Sequence, residues 1–148
     1  EAVTNAVRSR GIRVQRRSAG AASAQTQAYV ADTMGEMLQL LAAADLVLVG
    51  GSLIAHGGHN PIEPAALGKA TLIGPHHMNF AVIVDNLQSA GALAVVSDQA
   101  DELLAQLQTY LNDDALRKRM GAAGQAAVDA NRGAVKRLTE LCAAYLKL

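Results

Sequence analysis

Residues Gly50–Phe80 read GGSLIAHGGHNPIEPAALGKATLIGPHHMNF, and the reading of this stretch decides the fold. It follows a continuous apolar run, Leu46–Val49, of the kind found in strands buried on both faces. A helix start is then written into it: Asn60 as N-cap, Pro61 at the first helical position, and Glu63 three residues after the cap. Gly68 stands where a helix would terminate. Ala70–Ile73 is a second apolar run, and a second loop, Gly74–Asn79, leads to the next helix. Strand, helix, strand, helix in this order predicts an α/β fold with a parallel sheet. All four histidines, all three prolines and six of the thirteen glycines lie in this segment. A purely core-filling stretch would not concentrate those residues, and loops on a rigid scaffold carry function. Ligand binding is expected here.

Outward from this centre the alternation continues. Residues 1–10 read as a helix ended by Gly11, Ile12–Arg16 as a short strand, Ser18–Gln27 as a loop and Ala28–Val30 as another strand. Thr33 and Glu36 have capping-box spacing, ahead of a helix with Met34, Met37, Leu38, Leu41 and Ala44 on one side. Asn79 is expected to cap a helix reaching about Ala90, ended by Gly91. Leu93–Val96 is the last predicted strand. Asp98 or Asp101 then begins a helix carrying Leu104, Leu107, Tyr110 and Leu111, and residues 113–146 read as helical with a break near Gly121–Gly124.

At 148 residues the length is that of one domain. Aromatic residues are 3% of the chain and Trp is missing, which argues against nucleic-acid recognition by base stacking. The formal net charge is zero but unevenly spread. Arg8, Arg10, Arg13, Arg16 and Arg17 crowd the first 31 residues, whereas residues 32–102 hold eight acids and only Lys69. The arginines suit either a solvated edge or contact with an anionic ligand or membrane surface. Cys142 is the single cysteine, so no intrachain disulfide forms; its helical setting predicts a buried thiol. The longest uncharged stretch, Leu46–Ile62, is broken by Gly, His, Asn and Pro, and does not read as a membrane span. The chain does not begin with Met and is expected to be part of a longer protein.

In an open parallel sheet, ligands bind at the carboxyl ends of the strands. The Asp32–Glu36, Gly50–Asn60 and Gly74–Asn79 loops are therefore expected along one edge, suited to a phosphate-containing ligand. A single helix terminus contributes only about 1 kcal/mol to an exposed anion, so several contacts are needed. Glu63 has two roles open to it: a capping-box bond to Asn60, or acceptance of hydrogen bonds from the vicinal hydroxyls of a ribose. Glu36 has the same ambiguity. His56 and His59 form an H-x-x-H pair, but without Cys or a carboxylate set metal binding is weakly supported. Gly50-Gly51-Ser52-Leu53-Ile54 lacks the last glycine of a nucleophile elbow, and neither a dinucleotide fingerprint nor a Walker A sequence is present.

Four motifs in order, Asp32–Glu36 (DTMGE), Gly50–Ser52 (GGS), Gly57–Pro64 (GGHNPIEP) and Gly74–Phe80 (GPHHMNF), resemble those of 3-deoxy-D-manno-octulosonic acid (Kdo) transferases. The resemblance spans about residues 10–95. It departs from many relatives at His77-Met78, where they carry Thr-Phe. It implies a Rossmann-like parallel sheet flanked by helices, the C-terminal, donor-binding half of a two-domain GT-B fold, over residues 1–148. The opening strand and helix of that half are expected to precede Glu1, residues 113–148 to form its C-terminal helices, and the acceptor domain to lie outside this chain. It further implies transfer of Kdo from CMP-Kdo to a lipid A precursor, at the cytoplasmic face of the bacterial inner membrane, by an inverting reaction with neither metal nor cofactor. Met34, Gly35, Glu36, Asn60, Pro61, Ile62 and Glu63 would contact the nucleotide, with Glu63 on the ribose. Gly51, Ser52, His56, Gly58 and His59 would shape the pocket. The general base, the acceptor site and the membrane-associating surface would belong to the other domain, so no catalytic residue is expected in this chain. The alternatives are a GT-B enzyme using a UDP- or GDP-sugar, or a noncatalytic nucleotide-, phosphate- or metal-binding module.

Overall fold

Short strands and helices follow one another along the chain in a computed structural model that describes residues 1–133, 138–140, 142, 143 and 145. The chain divides into two units, Glu1–Met37 and Leu38–Leu148.

In the first unit helix α1 (Ala2–Arg8) packs on the parallel strands β1 (Val14–Arg16) and β2 (Ala28–Val30), which pair with Arg16 opposite Val30. Helix α2 (Met37–Ala43) straddles the division between the units. It begins later than the capping-box spacing predicts: Met34 lies before it, and Met37 and Leu38 are exposed, while Leu40, Leu41 and Ala44 are half-buried.

The second unit is built on β3 (Leu46–Val49), β4 (Ala70–Ile73) and β5 (Leu93–Val95), all parallel in the order β3-β4-β5. β4 is paired on both sides and every residue of it is buried. Its side chains alternate between two cores. Ile73 joins Val49, Leu93, Val84, Leu87 and Ala65; Ala70 and Leu72 join Val96 and Met120 on the other face. Helices α3 (Ile62–Ala66) and α4 (Ala81–Ser89) cover the first face, α5 (Ala100–Asn112) the second, and α6 (Asp114–Asn131) contributes to both. The expected double burial of Leu46–Val49 is not met: only Val49 is buried, because β3 is an edge strand of its sheet.

Helix α1 ends at Arg8, ahead of the expected stop at Gly11, whereas the stops at Gly68 and Gly91 share one device. Gly68 and Gly91 take φ of 68° and 70°, and each follows a helix whose last carbonyls are closed by the Schellman pair of bonds. Gly68 N–H bonds Ala65 O and Lys69 N–H bonds Pro64 O; Gly91 N–H bonds Gln88 O and Ala92 N–H bonds Leu87 O. Each stop delivers the chain within two residues to the next strand.

Other helix ends differ from expectation. Residues Met78–Phe80 form a 3-10 turn, so Asn79 does not cap α4. Neither Asp98 nor Asp101 caps α5, which starts at Ala100 and has Asp101 and Glu102 in its first turn, where the helix dipole favours acids. Leu103, Leu107 and Tyr110 pack inward from α5, whereas Leu104 and Leu111 are exposed. No break occurs at Gly121–Gly124: α6 runs through both, and both are buried. They are glycines because α6 crosses closely there. A Cβ on Gly121 would collide with the Gly68 carbonyl, and one on Gly124 would come 3.0 Å from the Ala65 carbonyl oxygen. The predicted helix beyond Asn131 falls partly outside the described residues, and Cys142 is exposed rather than buried.

The crossing yields a stability prediction. Gly121→Ala should destabilise the fold by about 1–3 kcal/mol, as overpacking against backbone does, despite the better helix propensity of alanine. Urea unfolding checks it; an unchanged or raised midpoint would show that α6 can shift away from Gly68.

Candidate nucleotide-binding site

Because β3, β4 and β5 are parallel, the loops after them leave from one edge of the second unit. Ser52 joins the first two. Its side chain is fully buried; Oγ donates to Val49 O at 2.5 Å and accepts from Gly74 N at 2.8 Å, while its carbonyl accepts from His76 N at 3.0 Å. The approach is so close that a Cβ on Gly74 would strike the Ser52 carbonyl. Ser52 is thus a staple between loops and offers no exposed nucleophile.

The Gly50–Asn60 loop folds back on itself through His59 N–H to Gly50 O and Gly58 N–H to Gly51 O, and Asn79 N–H bonds Gly57 O across to the second loop. The His59 imidazole lies against the Gly50–Gly51 backbone: a Cβ on either glycine would be 3.4 Å from a ring nitrogen. His56 approaches Gly51 in the same way, and both histidines are exposed. In the second loop His77 Nδ1 donates to Gly74 O at 2.8 Å. His76 Nε2 reaches Asp98 Oδ2 at 3.1 Å and ties in the loop after β5. Gln99 and then His76 hold the Asp98 carboxyl below its usual range. Among the described residues no group of three or more His, Cys, Asp or Glu is placed to hold a metal ion.

At the start of α3, Asn60 Oδ1 accepts from Ile62 N at 3.0 Å and Pro61 is buried. Glu63 is the second helical residue rather than the third, one place early for the reciprocal bond of a capping box. Its carboxylate is exposed and has no hydrogen bond among the described residues, which leaves it free for a ligand. Ile62 also borders an apolar cavity of about 680 Å³ lined by Ile83, Leu87, Ala127 and Val128, which reaches no other predicted site residue.

In the first unit the predicted residues Met34, Gly35 and Glu36 follow β2. There β2 pairs with β1 in a two-stranded parallel sheet. Glu36 does not cap α2. Its carboxylate is gripped by Arg17, with Nη2 to Oε1 at 2.7 Å and Nε 3.1 Å from both oxygens, and accepts from Thr33 Oγ1. Asp32 accepts from Ser18 N at 2.9 Å, Ser18 Oγ at 2.7 Å and Arg16 Nε at 2.6 Å. The Ser18 bonds foremost, then Arg16, hold the Asp32 carboxyl far below its usual range; Arg17 and then Thr33 lower that of Glu36. The partners Arg16, Arg17 and Ser18 escaped the sequence reading, which saw only an arginine cluster. The signal lay in strand pairing: with Arg16 opposite Val30, the segments leaving β1 and β2 run side by side.

This arrangement, a parallel sheet with polar loops at its carboxyl edge and helices on both faces, is that of a doubly wound, Rossmann-like α/β domain. The family model for glycosyl transferases group 1 matches residues 16–127, and the chain belongs to that family. Within it, the chain is similar to 3-deoxy-D-manno-octulosonic acid transferases: 38% identical to that of Haemophilus influenzae over 82% of this chain, and 37% to that of Bordetella pertussis over 86%. It spans 29% and 30% of the length of those two relatives. The solved C-terminal CMP-Kdo binding domain of WaaA from Acinetobacter baumannii matches with a TM-score of 0.75 at 30% identity, over 85% of this chain and 66% of that one. The fold is Rossmann-like α/β, as the four motifs imply.

Two outcomes test this geometry. Ser52→Ala leaves the buried Gly74 N–H unpaired and should cost about 1–3 kcal/mol in urea unfolding, with amide shifts at Gly74 and His76; a neutral change would show that the loops hold without the staple. The carboxyls of Asp32 and Glu36 titrate below their unfolded values of about 4, so their stabilisation is complete above that pH and is lost as pH falls through the lowered folded values. An NMR acid titration should therefore release the Asp32–Glu36 loop well below pH 4, and Asp32→Asn should weaken that acid dependence; an identical titration in the variant would remove Asp32 from the account.

Proposed function

We propose that the chain is the donor-binding part of a glycosyltransferase that moves Kdo from CMP-Kdo to a lipid A precursor. The observation that carries this reading is the likeness in fold and sequence to a solved domain named for CMP-Kdo binding. In this reading Met34, Gly35 and Glu36 on one loop contact the nucleotide, as do Asn60, Pro61, Ile62 and Glu63 on another. Glu63, exposed and unpaired among the described residues, accepts hydrogen bonds from the ribose diol. Gly51, His56, Gly58 and His59 bound the pocket near the phosphate or sugar, and Ser52 acts beneath them by fixing the loop.

CMP departs from the anomeric carbon of Kdo with inversion. Polar loops held rigid before the reaction stabilise the charge that develops on the leaving phosphate, and rigidity matters because dipoles already oriented need no reorganisation in the transition state. The acceptor hydroxyl loses its proton to a group outside this chain. The acceptor, the membrane surface and the cytoplasmic face of the inner membrane belong to the whole enzyme; no helix among the described residues is long and apolar enough to cross a membrane.

An NMR titration of the chain with CMP, and with UMP as control, tests the reading. CMP-selective shifts are expected at Met34–Glu36 and Asn60–Glu63, and Glu63→Ala should weaken CMP binding roughly tenfold, the effect of one lost charged hydrogen bond. Preference for UMP would point to a UDP-sugar donor instead, and full affinity in the variant would end the ribose assignment.

A further inference from the structure

We propose that Arg16, Arg17 and Ser18 form a clamp that positions the donor loop, so that Glu36 acts through Arg17 while the Met34–Gly35 tip meets the ligand. The inference rests on the donor-binding reading and assigns different work to the two glutamates of the site.

The geometry is two-ended. Three consecutive residues, Arg16 at the end of β1 and Arg17 and Ser18 just after it, take both ends of the five-residue Asp32–Glu36 loop. Asp32, at the first end, is held by Ser18 through its backbone N–H and hydroxyl and by the Arg16 side chain. Glu36, at the other end, is held by the Arg17 fork. Arg16 also reaches Glu1 at 3.1 Å. Arginine suits this work because its planar fork fixes direction as well as charge.

The acceptor count separates the glutamates. A carboxylate offers about four acceptor positions. On Glu36 both oxygens face Arg17, and one also accepts from Thr33. A ribose diol arriving there would have to displace the guanidinium. Among the described residues Glu63 has no such partner. Between the clamped ends, Met34 is 96% exposed, Gly35 has φ of 84°, and a Cβ on Gly35 would meet nothing within 4 Å. The fixed ends and open tip describe a loop held for presentation, with the tip backbone and the Met34 side chain as the surface offered to the nucleotide.

The test is CMP binding by the full chain, read by NMR with the Arg17 Nε–H signal resolved. Arg17→Ala should weaken CMP about tenfold, and Arg17→Lys should recover little of it, because an ammonium keeps the charge but not the fork. Adding Glu36→Gln to Arg17→Ala should cost less than about twofold more, as expected of two residues acting as one unit. At CMP saturation the Nε–H signal should keep its ligand-free position. Loss of that position, or full affinity in Arg17→Ala beside weak binding in Glu36→Gln, would mean that Glu36 takes the ligand directly and overturns the clamp. Should the wild-type chain fail to bind CMP, the functional reading falls by itself, and the clamp is decided on the ligand-free chain. Arg17→Ala should then speed hydrogen exchange at Met34 and Gly35 while leaving Leu72 unchanged; unaltered exchange at the tip overturns it.

Discussion

A parallel strand in the middle of a sheet must pair both edges of its backbone and cover both faces with apolar side chains, and β4 is the strand on which the second unit depends for this. Its four residues pair with β3 on one side and β5 on the other, and all are buried. The alternation of Ala70 and Leu72 against Thr71 and Ile73 dictates two cores, hence helices on both faces. The need to enter β4 at a set height explains the abrupt stop of α3 at Gly68, and the closeness of α6 to that stop explains why Gly121 and Gly124 sit inside a helix.

The same constraint gathers the chemistry. Strands that all point one way release their loops at one edge, where backbone polar groups lie close to one another and must be satisfied. Ser52 and His59 supply this satisfaction from within the loops, and His76 with Asp98 extends it to the third strand. Against these paired groups the exposed carboxylate of Glu63, unpaired among the described residues, stands out as available.

Electrostatics divide the labour in the first unit by a similar logic. The arginines that look like a basic patch in sequence are largely consumed locally: Arg16 and Arg17 meet the carboxylates that flank the donor loop, Arg13 donates to the Gln25 carbonyl and Arg10 to that of Ala6. A cation engaged in such bonds is a framework element before it is an attraction for anions or membranes.

What the sequence determined by itself is the order of the elements and the family. Local rules are strong where one residue type alone fits: Gly68 and Gly91 as helix stops and Ala70–Ile73 as a strand were legible before any coordinates, whereas α3 begins at Ile62 with Pro61, not Asn60, as its cap residue. Tertiary structure decided which polar groups are spent and which remain. Asp98 and Asn79 look like caps and Gly121 like a helix break. Asp98 instead meets His76, Asn79 lies within the turn at Met78–Phe80, and Gly121 fits against the Gly68 backbone. The physical reason is that a hydrogen-bonding group or a missing Cβ announces a need but not the partner that meets it, and the partner is chosen only when strands pair and helices pack.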